Sequence, residues 1–471
     1  MKKLIGCIAM VTALLGMSSC QSFLREVGLL NVTVNDPSEF IEAMKKDCNT
    51  LTLNCDIDGG GEEWPGFGSE KFNGNGHVVR NFNNDGPLFN RADVENATFE
   101  DITIVSTGAK AAVVSYGLGD LTNVHVKDCT LEAKEELGKN DHGFLAGILS
   151  AGGNYTYSSI DGLHFEDSPT ITNCSVTSST LSIADPDFLT VGYDEAYIGL
   201  LAAQAESMQG CKVEDCTMVV DSNGVYSSIY IGGLVGIANG LVERCYAKNN
   251  EISYSSKFFN YQELTHSYFV PDENFIGGLA GSASNANISI CYTEENKISI
   301  DSVGGFRAGG IVGTITSSSL SQCYDSNTEF VTEGIVHGAK ARRLGQFCGT
   351  MGNATISSSF AYSSIGLADD GEGDKDMDSF VSGFAASSND TSSIMQCAAY
   401  SSSVDGLRTD CFADEGPLIT SCYMTCDNDT ANINEIEAID SSAWMGEGLI
   451  LRLSLMDSAW KSGLFHPVLE L

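Results

Sequence analysis

Between roughly residues 96 and 430, apolar and polar side chains alternate in short runs rich in Val, Ile, Thr and Tyr, separated by Gly, Asn and Ser. Alternation with period two predicts strands, and no stripe of period 3.6 marks a helix. Three runs are one unit written three times: IGGLVGIANGLVERCYAKNNEISYS (231–255), IGGLAGSASNANISICYTEENKISID (276–301) and AGGIVGTITSSSLSQCYDSNTEF (308–330). In each, the second box glycine precedes a cysteine by 12 or 13 residues: Gly233 to Cys245, Gly278 to Cys291, Gly310 to Cys323. Weaker copies open with FLAGIL (144–149), YIGLLA (197–202), LGQFCG (344–349) and VSGFAA (381–386), and VKDCTL (126–131) and ITSCYM (419–424) keep only the second half, bringing the total to about nine. Three short strands per unit cannot bury their apolar faces alone, but stacking them in parallel at about 4.8 Å builds a continuous core. The expected fold is therefore all-β: a right-handed parallel β-helix of roughly nine to twelve coils.

A small residue recurring once per coil predicts an interior ladder through Cys129, Cys174, Cys216, Cys245, Cys291, Cys323, Cys397 and Cys422. Ser359 takes the cysteine's place in one copy, and Gln346 takes the place of a box glycine. The chain holds 16 cysteines. Recurrence with interchange for Ser reads as buried free thiols rather than a disulfide framework. Cys48–Cys55, Cys211–Cys216 and Cys422–Cys426 are the pairs spaced to be checked. No CxxC pair faces another, so zinc is not expected.

The units resemble GLUG repeats, found in bacterial surface proteins and in non-catalytic regions of immunoglobulin A metallopeptidases. The segment DPSEFIEAMKKDC, then LTLNCDIDGGGEEWPGFG, FNGNGHVVRNF (72–82) and PLFN (87–90), looks like the opening of such arrays. A short helix capped by Asp36, with Pro37 in its first turn, would plug the open end. The run from Ile433 to Leu471, with Trp444, Trp460 and FHPVLEL, resembles their ending and would seal the other.

The first residues, MKKLIGCIAMVTALLGMSSC, resemble a bacterial lipoprotein signal: Lys2 and Lys3, an apolar core from Leu4 to Met17, then small residues before Cys20. The core is shorter than the roughly 20 residues a membrane span needs. The implied organisation is a signal at 1–19, lipid on Cys20 with a linker to 36, an N-terminal cap and first coils at 37–95, repeats at 96–430 and a C-terminal cap at 431–471. Membrane attachment would be through the N-terminal lipid alone. Gln21 after the cysteine resembles outer-membrane sorting in a Gram-negative cell, and the expected location is the cell surface.

The net charge of −37, from 62 acidic against 25 basic side chains, disfavours nucleic acid and anionic lipid faces. No HExxH, nucleophile elbow, P-loop or dinucleotide fingerprint stands in usable context. Cysteine-to-cysteine spacings of 25 to 46 place insertions mainly at 177–197, 219–230, 251–275, 329–343 and 361–380, projecting from one corner. The aromatic insertion offers Tyr254, Phe258, Phe259, Tyr261, Tyr268 and Phe269 as ligand-binding candidates. Asp370, Asp374, Asp376 and Asp378 suit calcium by their oxygens, without EF-hand order, and no other cofactor is expected. The expected function is a non-enzymatic, adhesin-like envelope lipoprotein binding glycans or host and other extracellular proteins. The alternatives are a polysaccharide lyase or glycosidase and a structural spacer.

Overall fold

The structure, a computed structural model, describes residues 30–134, 143–158, 162–184, 195–222, 228–256, 273–302, 305–333, 342–363, 365–366, 380–401, 404–405, 409–410, 412–413, 417–426, 436–438, 449, 453, 460–462 and 467–469. It is nearly all β. One sheet joins 34 strands and a second joins nine. Among the described residues the antiparallel pairs are two hairpins, Asn154–Ser158 with Gly162–Asp167 and Trp460–Ser462 with Pro467–Leu469; the other ladders run parallel.

The repeat written in the sequence is the repeat of the sheet. One unit contributes Ser228–Gly232, Val235–Glu243, Tyr246–Lys248 and Glu251–Ser256. Each pairs with its counterpart in the next unit: Gly232↔Gly277, Val235↔Ala280, Tyr246↔Tyr292 and Glu251↔Lys297. Period-two alternation sends Ile252, Ile276, Ile288 and Ile298 into one continuous core. Burying such a side chain stabilises by about 2 kcal/mol, so nine repeats accumulate a core no single unit could hold.

The first box glycines end the strands of the nine-stranded sheet. A Cβ at Gly232, Gly277 or Gly309 would stand 1.9, 1.9 or 2.3 Å from the carbonyl oxygen of Val235, Ala280 or Val312. These glycines are required by close backbone approach.

The remaining corners use a different device. Among the described residues, twenty-one non-glycine residues have positive φ, between 48° and 58°. Most of those from Asp101 onward immediately precede a small buried side chain. This holds for Arg244 before Cys245, Ile290 before Cys291, Asn249 before Asn250 and Glu295 before Asn296. The left-handed residue turns the chain, and the small one after it points inward.

These corners correct the predicted ladder. Strand register sets Cys174, Cys211, Cys245, Cys291, Cys323, Ser359, Cys397 and Cys422 in one row. Cys129 and Cys216 belong to a second row, five residues further along, with Ser179, Asn250, Asn296 and Thr328. Both rows work alike. In the first, the N–H of Cys211 donates to Cys245 Sγ at 3.4 Å, that of Cys245 to Cys291 Sγ at 3.4 Å, and that of Cys323 to Ser359 Oγ at 3.1 Å. In the second, the N–H of Cys216 donates to Asn250 Oδ1 and that of Asn250 to Asn296 Oδ1, each at 3.0 Å.

Among the described residues twelve cysteines are free thiols, including Cys48, Cys55, Cys211, Cys216 and Cys422; the side chain of Cys426 lies outside the described residues. Burial pushes the Cys216 thiol up to about 12 and the Cys245 and Cys291 thiols well above their ordinary value. None of these three is a thiolate at neutral pH.

At the N-terminal end, the Asp36 side chain accepts from the Ser38 N–H, and Pro37 opens a short 3-10 turn that runs into Phe40–Met44. Phe40 packs edge-on against Trp64 at 5.6 Å, and Trp64 against Phe89 at 5.5 Å. The described residues of the expected C-terminal seal sit elsewhere. Leu449, Leu453, Trp460 and Leu469 pack on a lateral face of the units around Tyr292, Tyr324 and Phe360.

Candidate functional site

Four arrangements of side chains stand out. The first lies where the insertions leave and rejoin the stack. Thr130–Lys134, Thr180–Ala184, Thr217–Ser222, Glu251–Ser256, Lys297–Ser302 and Glu329–Glu333 form one parallel row of exits. Gly143–Gly147, Glu195–Gly199, Ser228–Gly232, Glu273–Gly277, Phe306–Gly309 and Arg342–Gly345 form one parallel row of returns. The insertions 135–142, 185–194, 223–227, 257–272, 303–304 and 334–341 therefore attach along one corner, whereas the hairpin at 154–167 leaves the stack elsewhere.

The return strands carry an outward column at the position two before the first box glycine: Leu145, Tyr197, Tyr230, Phe275, Arg307 and Arg343. Tyr197 stacks on Tyr230 at 4.7 Å, Tyr230 on Phe275 at 4.9 Å, and the Arg307 guanidinium lies 5.4 Å from the Phe275 ring centre. The Tyr197 hydroxyl donates to Glu195 at 2.8 Å. Leu145, Tyr197 and Phe275 are buried, so the column offers a ligand the partly exposed Tyr230 ring and the charges of Arg343 and of Arg307, the latter held over the Phe275 ring. This column was missed from sequence, although aligning the residue two before each box glycine displays it.

A second aromatic column runs along the strands after the first corner. Tyr246, Tyr292, Tyr324 and Phe360 stack at 4.7, 5.0 and 5.1 Å with their planes nearly parallel, and Tyr362 stacks on Tyr400 at 4.5 Å. Trp460 covers the stack, 5.7 Å from Tyr324 and 5.9 Å from Phe360. The Leu469 backbone hydrogen-bonds Tyr324, and burial holds the Tyr324 hydroxyl well above its ordinary value.

A third arrangement is internal. Asp325 is fully buried, accepting from Thr293 Oγ1 at 2.7 Å, from Thr328 Oγ1 at 2.5 Å and from the Gln346 side-chain amide. Burial pushes its carboxyl up to about 6 despite the three donors. Gln346, the break in the glycine pattern, is thus the partner of Asp325, and Gly310 leaves room for it: a Cβ there would meet the Asp325 carboxyl at 2.4 Å.

The fourth is a short polar relay through Asn123, His125 and Ser175 on the outer side of the stack.

Of the ligand-binding candidates read from sequence, Tyr254 is a correction. It is 1% exposed, inside the core on Glu251–Ser256, because it continues the inward alternation of Ile252. Phe258, Phe259, Tyr261, Tyr268 and Phe269 lie outside the described residues, as do Cys20 and the calcium candidates Asp370, Asp374, Asp376 and Asp378. Among the described residues no group of three or more His, Cys, Asp or Glu is placed to hold a metal ion, and no helix is long and apolar enough to cross a membrane.

No family model and no curated protein matches the chain. Among solved structures, a Bacteroides ovatus protein provisionally named an immunoglobulin A1 protease aligns over 92% of this chain and 89% of its own, at 16% identity and a TM-score of 0.24. A likeness that distant carries no functional argument.

Proposed function

We propose that the stacked units close into a right-handed parallel β-helix, and that this rod is an envelope-anchored binding module engaging glycans or extracellular proteins along its insertion corner. Closure follows from each unit returning to the same register with short connections, and right-handedness from the general preference of parallel crossovers. The single observation that carries the binding reading is the alignment of six insertion stems beside the Tyr197–Tyr230–Phe275–Arg307 column. Repeat proteins bind where insertions share one face. The lipid on Cys20 would set the rod on the outer membrane and leave that corner free.

The test is binding of residues 21–471 to an array of glycans and matrix proteins, with and without a calcium chelator. A hit that disappears on deleting 257–272, or on changing Tyr230 to Ala, supports the reading. A hit indifferent to both moves binding off this corner, and a blank array with an intact fold favours the spacer. Loss only with chelator would assign calcium to the 369–378 segment or another site.

A further inference from the structure

Independently of the binding reading, the strands Leu121–Lys127 and Ser175–Thr177 carry a chemical constellation on the outer side of the stack. His125 and Ser175 are partners in register, and Val124 and Val176 beside them point into the core, so both polar side chains face outward. Ser175 Oγ lies 2.8 Å from His125 Nδ1, and His125 Nε2 lies 3.1 Å from Asn123 Oδ1.

The amide of Asn123 is itself oriented, because its Nδ2 donates to Asn96 Oδ1 at 3.0 Å. Its oxygen therefore turns to the imidazole, which assigns the proton to Nε2 and leaves the Nδ1 lone pair for the serine O–H. Burial, and then the charge of Lys212, lowers the imidazole's affinity for a second proton, so the ring is a neutral base at pH 7. Lys212 pairs in register with Ser175, and its charge is felt at His125 on the far side. Its ammonium lies 3.4 Å from the Glu214 carboxylate on the same strand and its side chain is 42% exposed, while Ser175 is 6% exposed.

We propose that Ser175, His125 and Asn123 act as nucleophile, general base and positioning residue in the hydrolysis of short acyl esters. Nucleophile, base and orienting group in hydrogen-bonded sequence are what acyl transfer requires. Ser175 Oγ forms a bond to the ester carbonyl carbon as its proton passes to His125 Nδ1. The tetrahedral oxyanion collapses, the C–O bond to the alcohol breaks, and the alcohol leaves with that proton. Water then attacks the acyl-serine, giving its proton to His125, and the carboxylic acid departs as the proton returns to Ser175. The outward neighbours are polar, with Lys127 and Thr177 beside the pair and Lys212 and Glu214 on the next strand, so no apolar wall favours a long acyl chain.

The experiment uses the whole mature chain with a fluorophosphonate probe and with p-nitrophenyl acetate. Expected are labelling of Ser175, located by peptide mass spectrometry, and turnover that falls about a hundredfold or more in Ser175→Ala and His125→Ala. Asn123→Ala should lower kcat with little change in KM, and Asn123→Asp should restore most of it. Labelling at another residue, turnover no faster than buffer, or equal turnover in a folded Ser175→Ala variant each overturns the proposal. Should Ser175→Ala fail to fold, the labelled position in the native chain decides. Glycan or protein binding at the insertion corner is read separately and survives either result.

Discussion

At the first corner the inward row runs through Cys211, Cys245, Cys291, Cys323, Ser359 and Cys397; five residues later, at the second, it runs through Cys216, Asn250, Asn296 and Thr328. Both follow a left-handed residue, both are buried, and both supply an acceptor to the N–H of the unit before. The difference lies in what else each side chain does. Cys245 sends its weak S–H donor to the Met208 and Glu243 carbonyls at 3.7 and 3.2 Å, whereas Asn296 accepts from both Asn250 N–H and Asn250 Nδ2 and donates to Ala247 at 2.9 Å. The first row is a small apolar filling that happens to accept; the second is a hydrogen-bonded spine. One backbone plan therefore tolerates two chemistries, and the position demands a short acceptor rather than a cysteine.

The largest effect that would separate the rows is Asn296→Ala, which leaves buried groups of Asn250 and Ala247 without partners and should cost about 4 kcal/mol. Asn296→Cys should cost roughly half of that, since this row already holds Cys129 and Cys216. Equal urea midpoints for the two variants would show that volume, not hydrogen bonding, governs the second row.

Next is Asp325, on the strand joining the two corners and bonded to Thr328 of the second row. Its folded value of about 6 stands above the unfolded 3.8, so the folded state holds the proton more tightly between them. The stability it contributes is present below pH 3.8 and lost as pH rises through 6, by about 3 kcal/mol in all. The gap between wild type and Asp325→Asn, followed by denaturant titration at pH 4 and pH 7, should move by that order; a constant gap refutes the buried-acid account.

Within the first row, Cys291→Ser should cost only about 1 kcal/mol, because Ser359 already serves there and the Cys245 N–H keeps an acceptor. A cost equal to Asn296→Ala would erase the contrast. Smallest, Glu295→Asn at a left-handed, half-exposed position (φ 54°) should stabilise by under about 1 kcal/mol, seen as a small rise in Tm.

The stacking of repeats, the all-β class and the Asp36 cap were readable because period-two alternation, box glycines and a capping Asp–Pro pair are local signals. The two rows were not separated, because both place a cysteine near a turn: the spacing of Cys211 and Cys216 reads as a single ladder until register is seen. Arg244, Ile290, Glu295 and Gln322 give no turn signal either, since the left-handed geometry is imposed on them by neighbouring units. At the candidate binding face, the sequence pointed to the insertion corner and to Tyr254, whose alternation with Ile252 already marked it as interior. The column two before each box glycine required the alignment to be read across units. The Asn123–His125–Ser175 arrangement joins residues 50 apart whose adjacency depends on the length of an intervening insertion.

A chain made from its N-terminus can stack each unit on the one before as it emerges. The lateral clip cannot form that way, for Trp460 follows Tyr324, the ring it covers, by 136 positions (460 minus 324). Until those residues arrive, the stack is complete in register while its tyrosine seam stays bare. The clip therefore closes late, on a seam whose rings were set in register long before it.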